Sequence, residues 1–305
     1  MAEALGVQHH QWTRLGLAAV AAIMVGCRGT GGQGASPLPN ALLDARTTQG
    51  GLAAIVASSD LAVGRGQRFI LALIGPDNQP ISNADVTVGF VRTGGTGTAA
   101  VNPSGPAQFR ESLPGHGAYV ASADFDQPGT WAVVASVAQP GRGRAEVRAQ
   151  FQVKAKGSTP AVGDRVPASP SLTGSSVSEI EKFSSARPVD PDLYRLSIAE
   201  AVTQPKPLAV LFATPGFCTS QLCGPSIQTL GALKARYGEA ANFIHVEIYK
   251  DASPSEGIVP TVAEWGLPSE PWLFVVGSDG RLVAKFEGII TADEVEPVLQ
   301  GLIGS

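Results

Sequence analysis

An all-β sandwich followed by an α/β domain is what the sequence predicts, and three observations carry that expectation. At 305 residues and 44% hydrophobic content, the chain is long for one domain and apolar enough to bury a core. Residues 46–154 alternate short apolar stretches with Pro/Gly turn signals and sustain no helical period. Residues 191–305 pass between apolar strand patterns and helical patterns by turns.

The charge balance, 22 basic against 26 acidic residues, provides no basic stripe for nucleic acid, so no nucleic-acid partner is expected. Three cysteines is an odd number, and the first has a separate fate. Arg14 precedes an apolar run, Leu15 to Val25, too short for a span of about 20 residues, which ends Met24-Val25-Gly26-Cys27. This resembles a bacterial lipoprotein signal, although Met24 stands where Leu is usual. The resemblance implies a leader over residues 1–27, lipidation of Cys27, and a chain exported and anchored to a membrane of the cell envelope. Residues 28–45 begin Gly- and small-polar-rich and read as a tether.

Within 46–154 the expected strands are Leu52 to Ala57, Gln67 to Ile74, Ala84 to Phe90, Ala107 to Glu111, Gly117 to Ala123, Thr130 to Val137 and Arg144 to Val153. Turns such as Gln127-Pro128-Gly129 and Gln139-Pro140-Gly141 separate them, Pro presetting the bend and Gly supplying positive φ. Seven short strands at this spacing suggest an immunoglobulin-like sandwich. Gly117-Ala118-Tyr119, followed by Pro128-Gly129-Thr130-Trp131, resembles the extracytoplasmic Ig-like domains related to YtkA and FixH. Tyr119 and Trp131 are expected in or near the core. His116 has no Cys, His or carboxylate at ligand spacing. This part reads as a spacer or binding module.

Residues 155–190, rich in Pro, Ser, Gly and Ala, read as a linker wrapping onto the α/β domain. Val162-Gly163-Asp164-Arg165-Val166-Pro167 is similar to an entry phrase of peroxiredoxin-like and related thioredoxin-fold proteins. Ser197 with Glu200 three residues on forms a capping box. Leu208 to Phe212 reads as a central strand and Gln228 to Tyr237 as a helix. Phe243 to Tyr249 reads as a second parallel strand, Trp272 to Val276 as a third and Leu282 to Glu287 as a fourth, with Gly277-Ser278-Asp279-Gly280 as a hairpin turn between the last two, and Ala292 to Ile303 reads as a closing helix.

Between the first strand and helix lies Thr214-Pro215-Gly216-Phe217-Cys218-Thr219-Ser220-Gln221-Leu222-Cys223-Gly224-Pro225. A helix N-terminus lowers a thiol pKa, and a second thiol resolves a mixed disulfide when the Cα atoms lie about 4.4–6.8 Å apart. Five residues along one helix advance about 7.5 Å and turn about 140° out of alignment, so both cysteines cannot bond from within an intact helix. Either Cys218 is the attacking thiol and Cys223 resolves from an expanded, partly unwound turn, or the helix starts near Gly224, Cys223 of Cys223-Gly224-Pro225-Ser226 takes the attacking position with Ser226 in place of a second cysteine, and Cys218 reaches back from a loop; Cys218 is the preferred nucleophile.

The order of elements from Leu193 to Ile303 resembles the thioredoxin fold, with Pro271 where that family places its cis-proline. This resemblance implies a thiol–disulfide oxidoreductase with Cys218, Cys223 and Pro271 as catalytic residues, no cofactor, and thiol or disulfide proteins as partners. The same segment is similar to PrxQ/bacterioferritin-comigratory peroxiredoxins, which implies a peroxidase as the alternative. Phe217 is inserted, however, and Glu270-Pro271 occupies the region of that family's activating arginine. A structural disulfide in a binding lipoprotein is the non-enzymatic alternative. Copper binding would need a distant histidine, and His245 is the one offered here, in a strand expected to lie under a helix.

Overall fold

The structure, a computed structural model, describes residues 47–49, 51–93 and 102–304. The expected leader with Cys27, and the tether, lie outside the described residues.

The first part consists of β1 (Thr47–Gln49), β2 (Leu52–Val56), β3 (Gly64–Ile74), β4 (Asp85–Arg92), β5 (Asn102–Leu113), β6 (His116–Phe125), β7 (Gly129–Gln139) and β8 (Gly143–Val153). They form one antiparallel sheet in the order β1-β2-β3-β6-β5-β4-β7-β8. The sequence predicts a two-sheet sandwich, and the continuity of β5 overturns it. From Asn102 to Ala107 this strand pairs with β4, and from Gln108 to Leu113 with β6. A register shift at Val88/Gly89 and the positive φ of Gly105 allow the bend. The sheet also curls toward closure, because Lys154 just after β8 exchanges backbone hydrogen bonds of 2.9 Å with Leu61 and Val63. Strand content and β-rich character are therefore as the sequence reads, whereas the division into two sheets is not.

Alternate residues of these strands fill an aromatic core. Phe69, Phe90, Phe125 and Phe151 meet edge-on or tilted, and Trp131 packs on Phe125 with its Nε1–H donated to the Gln127 carbonyl. Tyr119 is wholly buried and accepts a hydrogen bond from the Ala84 N–H.

The second part is also corrected. A four-stranded sheet is built from β9 (Leu208–Phe212), β10 (Asn242–Val246), β11 (Trp272–Val276) and β12 (Leu282–Glu287), ordered β10-β9-β11-β12. Only β9 and β10 run parallel; β11 is antiparallel to both β9 and β12. Its helices are α1 (Val177–Ile180), α2 (Ile198–Ala201), α3 (Cys223–Tyr237), α4 (Pro260–Glu264) and α5 (Ala292–Ile303), of which only α3 and α5 exceed five residues. A chain that is mostly β-sheet, with a mixed second sheet, does not show the α/β thioredoxin-like class expected from the sequence. The hairpin expected at Gly277 to Gly280 is present, closed by Gly277 N–H to the Arg281 carbonyl, whereas β11 runs antiparallel to central β9, which its continuous apolar run did not disclose.

β9 alternates between two cores. Leu208, Val210 and Phe212 face a cluster with Ile198, Val262 and Trp265; Ala209, Leu211 and Ala213 face Leu230, Leu233, Val295 and Leu299. The strand is therefore buried throughout, and the expected capping box is present at α2, with Glu200 N–H bonded to Ser197 Oγ at 3.2 Å and Ser197 N–H to Glu200 Oε2 at 2.8 Å.

Polar bonds brace the curled sheet against the second sheet. Arg68 of β3 donates to the carbonyls of Glu287 and Ile289 at 2.8 and 2.6 Å and pairs with Glu294 of α5. Ser59 donates its N–H and hydroxyl to Glu287, whose carboxyl burial pushes above its usual range against those bonds. Asp60, with no exposed side-chain surface, accepts from Ser158, Thr159 and Lys154 and lies 3.6 Å from Lys285 of β12.

Candidate functional site

The site begins where β9 ends. Leu208 to Phe212 keep the strand central, and Thr214-Pro215-Gly216 carries the chain off the sheet. A turn closes with Phe217 N–H to the Thr214 carbonyl, and a second with Gln221 N–H to the Cys218 carbonyl. Gln221 takes a φ of 60°, unusual for a residue with a side chain. α3 then starts at Cys223 itself, with Leu222 as an N-cap that makes no side-chain hydrogen bond. Pro225 falls in the first turn, where a missing N–H costs nothing. Of the two registers open to the sequence, the helix thus starts beside Cys223 and leaves Cys218 in the loop.

Cys218 and Cys223 are joined as a disulfide with Cα atoms 6.0 Å apart. Their surroundings differ. Cys218 is half-buried, and its sulfur receives the Cys223 backbone N–H at 3.3 Å and lies 3.2 Å from the Ser220 hydroxyl. Those donors sit at the N-terminus of a fifteen-residue helix, an environment that favours negative charge on Cys218 sulfur once the bond opens. Cys223 is fully buried. Phe217, 43% exposed beside Cys218, lies edge-on to Tyr249 and offers an apolar contact at the open side of the site.

Opposite the sulfurs stands the loop before β11. Pro271 is buried after a cis peptide bond, and its carbonyl accepts the Gly288 N–H at 3.0 Å. The side chain that this loop presents to the cysteines is Glu270, whose Oε2 lies 3.8 Å from Cys223 Sγ. Both sulfurs and a Glu270 oxygen lie within 4.8 Å of one another. Burial, with Glu247 adding repulsion, raises the Glu270 carboxyl to about 7 against one hydrogen bond from the Thr214 backbone. In the sequence Glu270 registers only as the absence of an arginine. The signal that could have found it is a carboxylate directly before the proline expected to face the cysteines.

His245 is not brought to the sulfurs. It is buried on β10, with Nε2 donating to the Ala213 carbonyl at 3.0 Å; Nδ1 therefore accepts from Tyr194 hydroxyl at 2.7 Å. Burial holds its pKa down despite nearby Glu247, so it is a neutral, fully engaged core residue rather than a ligand. Glu247 is buried too, accepting from the Ser185 N–H and hydroxyl and the Ile248 N–H. A cavity of about 370 Å³ opens on the Glu247 side, walled by Leu172, Phe183 and Val259, and includes neither cysteine. Among the described residues no helix is long and apolar enough to cross a membrane.

No family model and no curated protein matches the chain. The solved PKD domain from human VPS10 domain-containing receptor SorCS2 is similar over 44% of this chain and 95% of that chain, at 17% identity and a TM-score of 0.19, a likeness too low to carry any argument.

Proposed function

We propose that this chain is an exported, lipid-anchored thiol–disulfide oxidoreductase acting through Cys218 and Cys223. Cys27 is the lipid attachment point, the curled sheet holds the redox site away from the membrane, and Pro271 shapes the groove for thiol or disulfide protein partners. The observation that supports this reading is the asymmetry of the pair: an approachable Cys218 with donors at its sulfur, bonded to a buried Cys223 that reforms the bond from inside. In the reductive direction a partner thiolate attacks Cys218 Sγ and forms a mixed disulfide. The Cys218–Cys223 bond breaks, and Cys223 leaves and takes a proton. A second partner thiol then displaces Cys218, so the partner dithiol becomes a disulfide as the site becomes a dithiol. Reversed, the same steps reduce a partner disulfide. The peroxidase reading has less behind it, since a carboxylate rather than the activating arginine implied by that resemblance faces the sulfurs.

Trapping tests the asymmetry. Reduced Cys223→Ser protein mixed with oxidised glutathione is expected to hold glutathione on Cys218, seen as a stable adduct by mass spectrometry, while Cys218→Ser protein labels far more slowly. Equal labelling of the two variants, or none of either, contradicts the reading.

A further inference from the structure

We propose that the reduced site is a metal site for a thiophilic d10 divalent cation such as zinc, held by Cys218, Cys223 and Glu270 with water in the fourth position. This goes beyond the exchange chemistry and does not depend on it.

Three observations converge. The two sulfurs come from the loop and first turn of α3, and the oxygen from a loop 47 residues further along the chain, yet all three donors lie within 4.8 Å of one another. Tetrahedral zinc with two thiolates and a carboxylate needs donor separations of about 3.5–3.8 Å, a small adjustment once the sulfurs are no longer bonded to each other. Four residues between the cysteines also falls within the spacing of zinc-binding pairs. Finally, half-buried Glu270 is held against the sulfurs, and neither it nor its buried, repelling neighbour Glu247 forms an ion pair among the described residues. Carboxylates withdrawn from water, wholly as Glu247 or in part as Glu270, are ordinarily paired or coordinate a cation. A cation between the sulfurs and Glu270 supplies the missing counter-charge. The softness of two thiolates selects zinc-like metals over calcium or magnesium.

The disulfide excludes the metal, so loading requires prior reduction. A dithiol reductant gives two electrons and two protons to the disulfide and is itself oxidised to a disulfide. The cation then forms two metal–sulfur bonds and one metal–oxygen bond, releasing the two thiol protons to solvent. Metal occupancy therefore reports the redox state of the pair.

The test uses the full chain under oxygen-free conditions, with zinc alone in competition with a chromogenic zinc indicator. Pre-reduced protein freed of reductant is expected to take one equivalent, and the disulfide form none. Cys218→Ser is expected to lose binding by at least about 100-fold, and Glu270→Gln by at least about tenfold with an unchanged melting curve. Cobalt offered instead is expected to give a tetrahedral visible spectrum with sulfur-to-metal charge-transfer bands, a readout on wild-type protein alone that holds whether or not the variants fold. The proposal is overturned if reduced protein competes no better than the disulfide form, if cobalt gives no such bands, or if folded Glu270→Gln binds as tightly as wild type.

Discussion

Asp60→Ala is expected to lower the stability of the fold by about 3–5 kcal/mol, read as a fall in urea midpoint with the slope retained. Asp60 joins three parts of the chain: the segment after β2, the Lys154-to-Thr159 stretch that reads largely as linker in the sequence, and β12 through Lys285. Removing its carboxylate leaves the Ser158 and Thr159 N–H groups without their acceptor and Lys154 and Lys285 without their counter-charge. Burial alone would raise this carboxyl, but the bonds from Ser158 and Thr159, and then Lys154, win and hold it far below the usual carboxylate range. A carboxyl depressed in the folded state contributes stability that is present above its unfolded pKa, near 3.9, and is lost as pH falls through the folded value. Wild-type stability is therefore expected to fall below about pH 4. In Asp60→Asn protein that share of the acid sensitivity disappears.

Gly266→Ala is expected to cost about 2–5 kcal/mol in the same measurement. Gly266 ends α4 with a φ of +63°, and an added Cβ would collide with the Ser158 carbonyl oxygen while lying 2.8 Å from its carbonyl carbon. The strain falls on the residue whose N–H bonds Asp60 at 2.8 Å. The two changes share a neighbour, so combining Asp60→Ala with Gly266→Ala is expected to cost less than the sum of the single changes.

Strands were the most legible part of the fold, because Val147, Ala149, Phe151 and Val153 alternate with exposed residues and follow a Pro/Gly turn. Which strands pair was not legible. A side-chain period of two is the same in a sandwich and a curled sheet, and the division of β5 between two partners depends on a bend at Gly105 rather than on any apolar pattern. The second sheet misled for a related reason. Cores on both faces make β9 and β11 continuous apolar runs, the pattern of parallel strands, although β11 is antiparallel.

At the site, Cys218 and Cys223 were legible as a pair because their spacing forbids bonding within one helix and Pro225 favours a start beside them. Glu270 was not, because its approach depends on how β9, α3 and β11 are juxtaposed, which no local spacing encodes. His245 stood out only as a lone histidine in an apolar strand, and Tyr194 and the Ala213 carbonyl account for both of its nitrogens.

Whether the cysteine pair exchanges with partners or merely clamps its loop is decided by its reduction potential. Equilibrating the purified chain in graded thiol–disulfide buffers, and quantifying free Cys218 and Cys223 by alkylation and mass spectrometry, is expected to place that potential above about −300 mV, within reach of exchange partners. A pair that stays oxidised below about −300 mV would contradict an exchange function and mark the bond as structural.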